Sequence, residues 1–195
     1  MDYKKSEYLI QTFSSLELMK RILVLGPSGS GKSTLSRKIG KILDIPIVHL
    51  DQYYWKPRWI YTPEDEWKNK INELISTDEW VMDGNYTSSL KLRSTAADTI
   101  VFVDIPRRLS YLRIFIRFLR FRGKTRPDLG EACPEKIDID FIRWIWDYPR
   151  TRGSVILRFL EKLGATKSVY ILHNQREINE FLKEIGKKDG RDGRI

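Results

Sequence analysis

Short β-branched runs alternate along this chain with longer segments whose apolar residues recur every three or four positions. Residues 21–25 include Ile22 and Val24, end at Gly26, and read as a buried strand. A helix is predicted over 32–43, where Leu35, Ile39 and Ile42 return at helical spacing. Residues 46–50 are the second predicted strand, and 63–76 the second long helix, with Pro63 at its start. Further strands are expected at 80–82, 99–103 and 169–172. Helices are predicted at 107–121, 136–147 and 151–163, and a last one near 177–185. No repeat or low-complexity tract breaks the alternation.

Strands alternating with helices make right-handed βαβ units around a parallel sheet covered on both faces, so the expected class is α/β. One domain is expected over 19–186, preceded by a loosely attached extension at 1–18. The Gly- and charge-rich tail at 187–195 is expected to fray. Ligands of such sheets bind outside the carboxyl ends of the strands. Asp51, Asp83 and Asp104 each follow a predicted strand directly, which would set three carboxylates along one edge.

Composition narrows the class without choosing a function. With 195 residues, 41% hydrophobic and 31% charged, the chain can fill one core and is not of disordered type. Cys133 is the one cysteine, which excludes an intrachain disulfide and fits a reducing compartment. Lys4 and Lys5 are followed by no uninterrupted apolar run, so no signal peptide is read. The most apolar stretch, 109–121, is broken by Arg113, Arg117 and Arg120, and no membrane span is expected. The expected address is therefore cytoplasmic. A net charge of +9 favours anionic partners, whether phosphates, nucleotides or nucleic acid. The oligomeric state is left open.

The sharpest signal lies between the first strand and the first helix. Gly26, Pro27, Ser28, Gly29, Ser30, Gly31, Lys32, Ser33 and Thr34 satisfy G-x-x-x-x-G-K-S/T in the strand–loop–helix context that a P-loop requires. Glycines let successive N–H groups turn inward, and the helix N-terminus adds partial positive charge, so the loop suits a triphosphate. Lys32 is expected to reach the β- and γ-phosphates of ATP, and the Ser33 hydroxyl to ligate Mg2+. Thr34 is expected nearer the α-phosphate side.

The guanine-reading N-K-x-D of GTPases is missing. Residues 80–86, with Asp83-Gly84-Asn85-Tyr86, resemble the third strand end of adenylate kinases, and 98–106 resemble their fourth strand. From Met19 to Leu182, the P-loop, H-L-D-Q-Y-Y-W-K-P at 49–57, D-G-N-Y at 83–86 and C-P-E-K at 133–136 resemble the FlaR-like family. Those proteins are labelled DNA topology modulation proteins or adenylate kinase-related kinases. The resemblance implies a P-loop kinase fold, a three-layer sandwich with a five-stranded parallel sheet in the order 2-3-1-4-5. Its lid region would fall at about 121–136. It leaves the phosphoryl acceptor open, either a small molecule or a nucleotide. Asn85-Tyr86-Thr87 replaces the phenylalanine–proline–arginine of adenylate kinases, so AMP is in question unless Arg93 substitutes. A nucleic-acid-associated ATPase or regulator is the alternative, as is an ATP-binding regulator without efficient transfer. No helix-turn-helix or zinc motif supports nucleic acid, and steeply salt-dependent DNA binding would be its mark.

Several residues near the loop carry candidate chemistry. Asp51 is expected either to accept the acceptor's proton or to hold a magnesium-bound water, and Asp83 to reach magnesium through water. Asp104 fits a cap for the helix beginning at Pro106. The aromatic run Tyr53, Tyr54, Trp55, Trp59 and Tyr61 reads equally as a stacking surface or as a packed loop. Arg113, Arg117 and Arg120 share one stripe of a helix that is otherwise apolar. That stripe is either the solvated side of a deeply packed helix or a set of lid arginines aimed at phosphate. Arg126, in the loop that follows, is a further lid candidate. His49 and His173 have no neighbour at metal-ligand spacing, and 173–174 is expected near adenine.

Overall fold

The computed structural model describes residues 19–135, 139–163 and 166–188. The expected extension at 1–18, Lys136 and most of the expected tail, 189–195, lie outside the described residues. The chain runs β1 (Arg21–Leu25), α1 (Lys32–Leu43), β2 (Ile47–His49), α2 (Leu50–Tyr54), β3 (Trp55–Lys56), β4 (Ile60–Tyr61) and α3 (Glu64–Ile75). It continues through β5 (Trp80–Asp83), α4 (Leu90–Ala96), β6 (Thr99–Val103), α5 (Arg107–Phe121), α6 (Ile139–Asp147), α7 (Ser154–Leu163), β7 (Ser168–Leu172) and α8 (Gln175–Lys188).

The main sheet is parallel throughout, in the order β2-β5-β1-β6-β7, and β3 pairs with β4 as a separate antiparallel hairpin. Leaving that small hairpin out of the numbering, the order is the predicted 2-3-1-4-5. Period-two alternation divides the central strands between two cores. Ile22 and Val24 join Val81, Val101 and Val103 beneath α1 and α8, where Leu35, Ile39, Phe181 and Ile185 close the layer. Leu23 and Leu25 point the other way, to Trp80, Met82, Ile100 and Phe102, covered by Trp67 and Ile71 of α3 and by Ile156 and Leu160 of α7. The strands read as continuous apolar runs because both of their faces are dry.

Several expectations are corrected. The strand predicted at 46–50 ends at His49, and Leu50 already opens a helical turn. The helix predicted from 151 starts at Ser154, after a wide turn at Pro149–Gly153. The last helix runs to Lys188, so 187 and 188 belong to it and not to a tail. Short α4 and the β3–β4 hairpin were not expected. Helix α5 has the predicted span but not the predicted burial. Ser110 and Ile114 are buried, whereas Leu112, Phe115, Ile116 and Leu119 are 53–59% exposed. The helix lies across the P-loop instead of flat on the sheet, so only its inner side finds cover.

After α5 the chain folds back as a lobe over 122–135, pinned to itself by Lys124 N–H to the Phe121 carbonyl and Glu135 N–H to the Lys124 carbonyl. It rests on the β3–β4 region through directional bonds. The Arg58 amide donates to the Ala132 carbonyl at 3.0 Å, and the Trp59 indole to the Pro134 carbonyl at 3.1 Å. The Gln52 amide donates to the Pro127 carbonyl at 2.7 Å, and the buried Cys133 thiol to the Lys56 carbonyl at 3.3 Å.

Candidate active site

The glycine loop is demanded by geometry as well as by motif. Gly26, Gly29 and Gly31 have φ of 139°, 75° and 98°, a region side chains avoid. A Cβ on Gly26 would stand 2.4 Å from the Val103 carbonyl oxygen, and one on Gly29 would stand 2.5 Å from that of Ser110. The loop is thus wedged between β6 and α5, and α1 starts behind it with no side-chain cap on its first amides. Asn85 clasps the loop entrance: its Oδ1 accepts the Gly26 amide at 3.1 Å and its Nδ2 donates to the Gly26 carbonyl at 2.6 Å.

Around this cradle stand Lys32, Ser33, Asp51 and Asp83, as expected. Lys32 Nζ donates to the Pro27 carbonyl at 3.1 Å. Burial pulls its pKa below the usual amine range, against the opposing pull of Asp51 and Asp83 and with help from Arg117 and Arg126. Ser33 Oγ donates to Asp83 Oδ1 at 3.3 Å, which brings two hard oxygens of the kind magnesium prefers to the loop's edge. Asp51 sits in α2 and accepts the Tyr86 hydroxyl on Oδ1 at 2.5 Å. Burial lifts the Asp51 carboxyl above the ordinary carboxylate range despite that bond and the nearby Lys32. Burial and Asp51 together push the Tyr86 phenol well upward, so it stays a donor. Thr34 is exposed at the outer rim.

The arginine stripe divides. Arg113 Nη1 donates to the Ser30 carbonyl of the loop at 2.8 Å and Nη2 to Gln175 Oε1 at 3.3 Å. Arg117 pairs with Glu135 at 2.8 Å, and Arg126 holds both Glu135, at 2.6 Å, and Asp128, at 2.9 Å. Burial, then Arg126, lowers the Arg117 pKa, while Glu135 raises it. Arg120 is exposed and lies over its neighbour Phe121. The positive charge of Arg117 and Arg126 is answered by two acids lying 11 and 18 residues beyond Arg117, which the helix pattern alone could not supply.

Other expectations meet different surroundings. Arg93 does not face an acceptor. It is fully buried, donating to the Ser89 hydroxyl and to the Gly84 and Tyr86 carbonyls, and burial lowers its pKa to about 9. It braces the loop after β5. Asp104 does not cap α5, whose N-cap is Pro106 without a side-chain bond. It lies 3.6 Å from His173 instead. Tyr54 packs against Trp55, Trp67 and Tyr86, and Trp55 against Trp59, while Tyr61 is exposed. His49 is not isolated: its Nδ1 lies 2.7 Å from Asp83 Oδ2. Among the described residues no group of three or more His, Cys, Asp or Glu is set to hold a metal alone, and no helix is long and apolar enough to cross a membrane.

Comparison with known proteins agrees with this architecture. No family profile matches the chain. The uncharacterized protein YqaC of Bacillus subtilis strain 168 is 31% identical over 147 residues, 74% of this chain and 82% of that protein. Shikimate kinase from Acinetobacter baumannii, solved in complex with shikimate, is similar in fold with a TM-score of 0.59 at 16% identity, over 88% of this chain and 93% of that one. Shikimate kinase from Bacteroides thetaiotaomicron gives 0.53 at 16%, over 88% and 98%. A gluconokinase from Sinorhizobium meliloti 1021 gives 0.50 at 16%, over 89% and 93%. The fold is that of the P-loop kinases.

Proposed function

The chain belongs to the family of the uncharacterized Bacillus subtilis protein YqaC, and we propose that it is a kinase that transfers the γ-phosphoryl group of ATP, with Mg2+, to a hydroxyl of a small molecule or nucleotide. One observation carries the reading. A glycine-walled anion cradle, the Ser33–Asp83 oxygen pair and the Asp51 carboxylate share one sheet edge beneath Arg113, Arg117 and Arg126. The resemblance of the motifs to the FlaR-like kinases belongs to the same reading.

Each residue then has a task. The inward amides of the loop and Lys32 bind phosphate oxygens, and the anion's charge opposes the burial that lowers the lysine's pKa. Ser33 and Asp83 fit a hard cation beside the phosphates, Asp83 through water. Magnesium, when bound, neutralises the charge that gathers on the phosphate oxygens. Asp51 takes the acceptor hydroxyl's proton on Oδ2, because Tyr86 occupies Oδ1 and holds the carboxylate's plane. Arg117 and Arg126 supply fixed positive charge, kept in place by Glu135 and Asp128. The 173–174 segment would take the adenine, beside Arg113, which bonds the Ser30 carbonyl and Gln175.

The test is ADP release from ATP and magnesium across a panel of hydroxylated metabolites, nucleosides and nucleotides. An acceptor-dependent signal is expected, and Lys32→Ala should reduce it on the order of a hundredfold. No acceptor-dependent release, or an undiminished rate in Lys32→Ala, would remove the proposal.

A further inference from the structure

His49 and Asp83 are the last residues of two adjacent parallel strands, and the register of β2 on β5 makes them direct partners. Their side chains leave the sheet on the same side. His49 is 8% exposed and Asp83 3%, so neither is served by bulk water. The carboxylate is divided between two neighbours: Oδ1 receives the Ser33 hydroxyl at 3.3 Å and Oδ2 lies 2.7 Å from His49 Nδ1. A carboxylate only accepts, so the proton in this contact sits on Nδ1, whichever charge state the ring holds. Without that bond Asp83 could turn about its last torsion and trade its two oxygens. With it, one oxygen is spoken for and the other is kept toward Ser33.

We propose that His49 is a positioning residue for the magnesium site: it pins Asp83 so that one carboxylate oxygen is always presented beside the Ser33 hydroxyl. The inference rests on the reading of Ser33 and Asp83 as the cation's side of the P-loop. Partners of this kind, one bond removed from a metal, set the orientation of the group that serves it, and their loss commonly weakens the metal by about ten- to a hundredfold. The position also accounts for a buried histidine at a strand end where an apolar residue would pack as well.

The experiment compares binding of a fluorescent ADP analogue in EDTA and in magnesium, which requires no acceptor. In the wild type, magnesium is expected to tighten binding. In His49→Ala the gain from magnesium should fall about tenfold, while the affinity in EDTA stays unchanged. His49→Asn, whose amide can stand where Nδ1 stood, should recover most of the gain. His49→Gln, which carries its amide at the far ring position, should not, and it replaces the alanine variant if that one unfolds. A full magnesium gain in His49→Ala or His49→Gln, or an asparagine variant no better than they are, overturns the inference alone. A wild type that binds the analogue with no gain from magnesium overturns it together with the metal reading on which it rests.

Discussion

The sheet and the roof above it are held by different chemistry. In the sheet, β1, β5 and β6 are buried almost to the last residue, and two apolar layers of opposite orientation lock them from both sides. In the roof, formed by α5, the 122–135 lobe and the β3–β4 hairpin, α5 leaves four large apolar side chains more than half exposed. Its joints are single hydrogen bonds to carbonyls and the Arg117–Glu135–Arg126–Asp128 chain of charges. Apolar layers fail together, whereas directional joints can open locally and be satisfied again by water. The proposed phosphoryl transfer would use both: a cradle that never loosens and a cover that lets substrate in.

The comparison breaks most visibly in the sheet. Phe102→Ala, at a site 1% exposed, should cost about 3–5 kcal/mol in urea unfolding; a loss below about 1 kcal/mol would mean that this layer is not the stabilising one. Glu135→Ala is the matching cut in the roof. If the roof stayed shut, Arg117 would lose its acid and face the Arg126 guanidinium, which keeps Asp128, at a cost of about 3–5 kcal/mol. Because the lobe can lift and hydrate them, the global loss is expected to fall well short of that, while amide exchange across 122–135 accelerates. A full core-sized loss with unchanged exchange would show that roof and sheet unfold as one.

Asp51 lies at the seam. Asp51→Asn should stabilise the nucleotide-free protein by about 0.5–1 kcal/mol at neutral pH and abolish most phosphoryl transfer. Burial raises the folded carboxyl's pKa, so between the unfolded value and the raised one the folded state holds more protons. Wild-type stability relative to the variant should therefore fall as pH rises through that window and level off above it. A difference that does not change with pH, in paired unfolding curves, would deny the buried charge. The smallest global effect is expected from Gly130→Ala. Its Cβ would stand 2.2 Å from the Trp55 carbonyl oxygen, which forces the lobe off the hairpin without touching the sheet. Trypsin should cut faster after the exposed Arg122 and Lys124, with global stability within about 0.5 kcal/mol of wild type. Unaltered cleavage would sink the idea of a separately hinged cover.

The same division decided what could be read from the chain. Strands β1, β5 and β6 announce themselves because burial on both faces leaves unbroken apolar runs, and the loop does because only glycine tolerates its backbone and its neighbours. The roof is written across distance. Glu135 answers Arg117 from 18 residues away, and the His49–Asp83 pair spans 34, a contact created by strand register that no local window contains. Helix α5 misleads for a related reason. An apolar circumference reads as burial only if neighbours exist on every side, and crossing the loop leaves most of that circumference without them. Seven-residue α4 is too short for its periodicity to count, so the structural use of Arg93 was hidden with it.

Cys133 turns this arrangement into an instrument. It is the chain's one thiol, fully buried where the lobe meets the Lys56 carbonyl. A colourless reagent that develops colour on meeting sulfur can reach it only when the cover is raised. The speed of that colour change counts openings in the native sequence, with no dye, tag or mutation introduced. Candidate acceptors can then be ranked by how far each one slows the clock, before any product has been identified.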